Sequence, residues 1–226
     1  MRILAVDTTT PSGSVALLED TRLLGEIAVE SAATHSSRLL SAIRFLLEAH
    51  HFDVRDLDGF AVAPGPGSFT GIRIGLSTVK SFAFASGKPV ALVSSLEALA
   101  SKFLDSRARL IAPMLDAKKG EIYTVLYEIR NNRLREIIPQ GAYSPDRFFS
   151  LFPMNRIVLF IGSGLALCRA KILDRFKDKA RFSTRSPFIA YEVGRLGQEL
   201  LRAKKGVPST AVEPLYLRKS QAEEKH

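Results

Sequence analysis

Two stretches concentrate the residues that could do chemistry: Ala63-Pro64-Gly65-Pro66-Gly67-Ser68-Phe69-Thr70-Gly71-Ile72-Arg73, and Asp7-Thr8-Thr9-Thr10. The apolar run Gly59 to Ala63 reads as a buried strand, and the proline-free run from Phe69 to about Ala85 reads as a helix. Between them, two glycines separated by a proline keep Cβ atoms out of the turn and stiffen it. Ser68 stands at the N-cap position, where its hydroxyl can accept a free N–H of the first helical turn. Such a strand–turn–helix presents bare N–H groups and the positive helix end, which suits a phosphate. A tight turn with a good cap accounts for the same residues. An aspartate ending the first strand, with hydroxyls beside it, can hold a metal-bound water or a phosphate. It is equally a turn whose Asp and Thr side chains bond to local backbone.

Spacing excludes the familiar nucleotide and nucleophile motifs. A dinucleotide fingerprint needs glycine where Thr70 stands, and a Walker loop needs a lysine that does not come until Lys80. A nucleophile elbow needs glycine where Pro66 stands. The four histidines, His35, His50, His51 and His226, show no i, i+4 pair for a metal. Cys168 is the only cysteine and follows Gly164-Leu165-Ala166-Leu167, so it reads as a buried small side chain rather than a nucleophile.

The elements that must position these residues follow from periodicity. Ile3–Val6, Ser14–Glu19 and Leu23–Val29 read as a three-stranded meander. A helix follows from His35 to about His50, then the strand, loop and long helix, a strand at Pro89–Val93 and a helix from Ser95 to Leu104. The second half repeats this plan. Leu110–Leu115 ends in Asp116 as Ile3–Val6 ends in Asp7, and a hairpin, Glu121–Ile129 with Arg133–Ile138, comes next. A short helix at Pro145–Leu151, a strand at Arg156–Gly164 and helices at Leu165–Phe176 and Ile189–Ala203 close the repeat. A duplicated unit of this kind is an α/β domain of ribonuclease H topology. The expected lobes are residues 1–104 and 105–226, the first carrying the association helices and the second, smaller one ending in a strap, Val212–Arg218, and a charged tail.

Both long helices of the first half are apolar over a wider arc than one sheet needs. In the first, Leu39, Leu40, Ala42, Ile43, Phe45, Leu46, Leu47 and Ala49 surround a narrow polar stripe; in the second, Ile74, Phe82 and Phe84 fall outside the main apolar face, and Gly71 and Gly75 form a small-residue strip four apart. Either these helices lie in the middle of their own domain or a partner covers their second side; the association surface expected in the latter case is Leu39, Leu40, Ile43, Leu47, Gly71, Ile74, Gly75, Thr78 and Phe82. Small residues there would let helices approach closely.

With 226 residues, 46% of them hydrophobic, the chain can bury an ample core. A single cysteine rules out an internal disulfide and fits a reducing cytoplasm. No apolar run approaches the length of a membrane span, and Asp7 comes too early for a signal peptide. The formal charge of +9 permits contact with RNA, and the basic clusters are Lys118-Lys119, Arg130 to Arg135 and Arg202 to Lys205.

Four segments together resemble the TsaB (YeaZ) family: Ile3-Leu4-Ala5-Val6-Asp7-Thr8-Thr9 with Gly13-Ser14-Val15-Ala16-Leu17, Gly65 to Gly75, Met114 to Tyr123, and Pro214-Leu215-Tyr216-Leu217-Arg218. The resemblance implies a duplicated actin/hexokinase-like (ASKHA) fold with mixed sheets flanked by helices. It implies a part in forming N6-threonylcarbamoyladenosine at position 37 of tRNAs reading codons that start with A. The related catalytic subunit, TsaD, binds metal through a His-x-x-x-His segment, and the corresponding positions here are Ser95 and Leu99. Leucine ligates no metal and serine is a poor ligand. The resemblance thus implies no metal and no catalytic residues. It implies a TsaD-like partner, a TsaE-like ATPase in the same complex, and a homodimer when the chain is alone. It leaves at most a weak or shared ATP or ADP site at Asp7, Thr8 and Thr9, and only indirect or weak contact with tRNA. The competing functions are an actin/hexokinase-type ATPase or small-molecule kinase using Asp7 and Asp116, and, less favoured, a metallopeptidase.

Overall fold

The structure is a computed structural model and describes residues 1–30, 35–153, 155–183 and 185–218. The chain forms two compact units, one of residues 1–98 with 188–215, the other of 99–187 with 216–218.

In the first unit, β1 (Arg2–Asp7), β2 (Ser12–Glu19) and β3 (Arg22–Glu30) form the expected antiparallel meander. Helix α1 (His35–Ala49) leads to β4 (Gly59–Val62), α2 (Phe69–Ser86) and β5 (Val90–Leu92). β4 pairs parallel with both β1 and β5. Strand β1 is buried on both faces, which is why Ile3-Leu4-Ala5-Val6 is an unbroken apolar run. Leu4 and Val6 of β1 pack with Ile43 and Leu47 of α1 and with Ile72 and Leu76 of α2 in one core. Ser68 caps α2 and Gly87, at φ 69°, ends it in the left-handed conformation that glycine adopts freely.

Helix α3 (Ser95–Ser101) carries the boundary between the units, after Ala98. The second unit holds β6 (Leu110–Lys118), β7 (Glu121–Arg130), β8 (Arg133–Tyr143), α4 (Pro145–Ser150), β9 (Val158–Ile161), α5 (Leu165–Phe176) and β10 (Ala180–Phe182). Its core is rich in phenylalanine, with Phe148, Phe149, Phe152, Phe160 and Phe176 in mutual ring contact. The sheets run β3-β2-β1-β4-β5 and β8-β7-β6-β9-β10 with the same sequence of antiparallel and parallel pairings. The repeat read from the sequence is therefore present, strand for strand.

Three expectations need correction. The lobes do not divide once at 104/105: the first ends at Ala98, and residues 188–215 return to it. Helix α6 (Ala190–Arg202), which the sequence order assigned to the second lobe, covers the sheet of the first on the face opposite α1 and α2. There, a Cβ on Gly197 would stand 2.5 Å from that of Ala61, so only a glycine permits the approach. Finally, β10 was not anticipated, because Ala-Arg-Phe is too short an edge strand to show a period of two.

Candidate functional site

The two chemistry-bearing stretches meet in the first unit. Thr8 donates its hydroxyl to the Gly71 carbonyl at 2.7 Å, and Ser68 donates its N–H to the Thr9 carbonyl at 2.7 Å. α2 lies so close to the end of β1 that a Cβ on Gly71 would stand 2.0 Å from the Thr8 carbonyl oxygen. One on Gly75 would stand 2.3 Å from the Thr8 hydroxyl. The small-residue strip therefore faces inward. This corrects the expectation that Gly71 and Gly75 line an association surface: both are buried, and their neighbour is the strand end of their own unit.

The glycine loop itself is braced on three sides. The carbonyls of Pro64, Gly65 and Pro66 accept from the N–H of Leu215 at 2.8 Å, the N–H of Ser95 at 2.9 Å and the hydroxyl of Ser95 at 2.6 Å. The Ser68 hydroxyl accepts from the Gly71 N–H at 3.3 Å and so takes up one of the free donors of the first helical turn. The Gly65-Pro66 peptide bond is cis. Ser95, which the resemblance sets at the first metal-ligand position, is thus engaged in holding the loop. Leu99, at the second, is a buried core side chain that would touch a Cβ placed on Gly162.

Asp7, Thr8 and Thr9 are all buried. One Asp7 carboxylate oxygen accepts from the Thr9 N–H at 2.9 Å and the Thr9 hydroxyl at 2.6 Å. The other, Oδ2, is buried with no hydrogen-bond partner among the described residues. Burial pushes the Asp7 carboxyl up to about 6 from an ordinary 3.8; the two Thr9 hydrogen bonds oppose the rise and Glu26 adds a little to it. Both threonine hydroxyls donate inside the fold, which leaves Oδ2 of Asp7 as the buried oxygen without a partner at this strand end. Asp116, expected to mirror Asp7, does not: it lies within β6, is exposed, and pairs with Lys118 at 2.7 Å. The hydrogen bond from Lys118 holds its carboxyl below the usual range. Cys168 is buried, and desolvation pushes its thiol up to about 11, far from a reactive thiolate.

The helix face splits in two. Leu39, Ile43 and Leu47 of α1 are buried in the core of their own unit, whereas Leu40 stays exposed and Ile74, Thr78 and Phe82 of α2 are half-buried. The outer side also carries aromatic residues that the expected surface omitted: Phe45 is 64% exposed, Phe69 42% and Phe84 77%. A shallow depression of about 410 Å³ on α2 is lined by Phe69, Thr70, Arg73, Ile74, Ser77 and Thr78, with the Arg73 guanidinium 3.8 Å from the centre of the Phe69 ring. Phe45 and Phe84 belong to the wide apolar arcs read from the sequence, beyond what one sheet can cover, although the expected surface did not include them.

The family model described as TsaD, tRNA N6-adenosine threonylcarbamoyltransferase, matches residues 25–226. The tRNA threonylcarbamoyladenosine biosynthesis protein TsaB of Bacillus subtilis is 34% identical over all of this chain and 97% of its own length. That of Haemophilus influenzae is 29% identical over 96% of this chain and 94% of its own. The solved structure of YeaZ from Pseudomonas aeruginosa superimposes with a TM-score of 0.81 at 28% identity, covering 96% of this chain and 99% of that one. Component A of the (R)-2-hydroxyglutaryl-CoA dehydratase of Acidaminococcus fermentans shares the fold alone, with a TM-score of 0.54 at 9% identity over 88% of this chain and 98% of that one. Full-length similarity to proteins named TsaB, the superposition on YeaZ and the duplicated ribonuclease H-like sheets agree: the chain belongs to the TsaB (YeaZ) family.

Proposed function

We propose that this chain takes part in forming threonylcarbamoyladenosine on tRNA as a non-catalytic subunit that docks a TsaD-type transferase through the outer side of α1 and α2. The observation carrying the reading is the fate of the ligand positions. Ser95 spends its hydroxyl on the Pro66 carbonyl and Leu99 is core, so neither serves a metal. Meanwhile Leu40, Phe45, Phe69 and Phe84 leave apolar surface unburied on neighbouring helices. In the absence of the transferase, a second copy of the chain would cover the same face about a two-fold axis. Nucleotide binding by the chain alone is expected to be weak, since the Thr8 and Thr9 hydroxyls are engaged. A TsaE-type ATPase in the same assembly would supply the nucleotide turnover that these residues do not.

The test is the variant Leu40→Glu with Phe84→Glu. Both side chains are exposed, so the unit should fold with an unchanged melting temperature. Sedimentation should give a monomer, and pull-down with the transferase should fail. A variant that still dimerises and still binds the transferase would place the interface elsewhere.

A further inference from the structure

The charge of this chain is confined to one stretch. Residues 99–187 hold 17 Lys and Arg against 8 Asp and Glu, whereas the rest of the chain holds 15 of each, so the whole excess of +9 resides there. Topology gathers it further. Strands β6, β9 and β10 begin, β7 ends and β8 begins at the same end of the second sheet, where Leu110 is level with Glu128 and Val158, and Val158 with Ala180. Arg107, Arg109, Arg130, Arg133, Arg135 and Arg156 therefore lie along one sheet end, with Lys177 and Lys179 at its far corner. Five strands about 4.8 Å apart make a basic line about 19 Å long.

Few of these cations are engaged. All six arginines are exposed. Arg156 meets Glu128 at 3.6 Å and Lys179 meets Asp178 at 3.1 Å. Among the described residues, the other five arginines have no ion pair. The contrast with the remaining basic clusters is direct: Lys118 is paired with Asp116, and Arg202 with Asp20. Moreover, Arg130 and Arg133 stand directly opposite each other across the β7–β8 turn, where like charges destabilise a hairpin. That turn is tight: Asn131 and Asn132 both adopt positive φ, at 51° and 57°, the pattern that fixes a two-residue hairpin. The hairpin register thus sets two arginines opposite each other despite their like charge.

We propose that this end of the second sheet binds the phosphate backbone of a folded RNA, namely the tRNA that the family reading supplies, and the inference rests on that reading. Arginine's planar fork grips phosphate oxygens in pairs, and a line of arginines carried on one sheet end suits phosphates spaced along a strand. Anionic bilayers are met instead by flexible basic segments or amphipathic helices.

The experiment measures anisotropy of a labelled tRNA transcript with the full chain across a salt series. Binding should weaken by roughly 0.7–0.9 log units per tenfold salt for each phosphate neutralised. Arg130→Glu with Arg133→Glu should weaken binding at least tenfold and flatten the salt slope, with Arg109→Ala and Arg135→Ala as a milder second pair. Reversing Arg22 and Arg55, which lie in the first unit, should leave binding unchanged. Equal loss from the control pair, or full binding by both test pairs, would overturn the proposal. So would test pairs that lose binding to phosphatidylserine vesicles while keeping tRNA. If modification still needs the chain but the test pairs change neither binding nor modification, this surface falls while the function stands. If tRNA binds here and modification proceeds without the chain, the function falls instead.

Discussion

At the scale of single residues, the account turns on Asp7 and Gly75. The Asp7 carboxyl has its folded value raised to about 6 from 3.8, so the folded state holds the proton more tightly than the unfolded one. Stability must therefore fall as pH rises from about 4 to 6, by about 3 kcal/mol at 1.36 kcal/mol per unit, and the cost is fully present above that window. Asp7→Asn keeps the oxygen that accepts both Thr9 donors and removes the charge. It should melt higher than the parent protein at pH 7.5, with the difference closing as pH drops below about 4. A variant that melts lower at pH 7.5 would show that the ionised carboxylate is compensated. Gly75→Ala should not act on association. Its Cβ would meet the Thr8 hydroxyl and strain the Thr8–Gly71 hydrogen bond, costing about 1–3 kcal/mol in a packed interior. Thermal melting should register the loss while the sedimentation coefficient stays unchanged; the reverse pattern would restore the glycines to an outward face.

At the scale of elements, the meander, the glycine-loop helix and the duplicated plan were legible because strands and helices write their periods locally. What stayed hidden was long-range. Gly71 and Gly75, four apart on a helix, signal a close neighbour without saying whether it is another helix or the end of β1. The sequence order of α6 gives no sign that it packs on a sheet built from residues 2–92, far earlier in the chain. Nor does a loop motif announce its braces, which come from Ser95 and Leu215. The strap residue Leu215 offers a direct check. Leu215→Pro removes the N–H that serves the Pro64 carbonyl, leaving a buried acceptor unpaired at a cost of about 1–3 kcal/mol. The melting temperature should drop by several degrees, about 2–4 °C for each kcal/mol in a chain of this size. No change in melting would mean that the strap merely lies against the loop.

At the scale of the molecule, one chain carries a nearly neutral unit with an apolar helix face and a basic unit with arginines lined along a sheet end. None of its described helices is long and apolar enough to cross a membrane. On the proposed reading, this chain would act on chemistry through another protein, by holding that protein's helices in one arrangement and so biasing its conformation. The most direct measurement is threonylcarbamoyladenosine formed on a tRNA transcript by the purified TsaD-type transferase with its ATPase, with and without this chain. The account predicts no product without the chain, full product with it, and none with the Leu40→Glu, Phe84→Glu variant. Full modification by the transferase in the absence of this chain would contradict it.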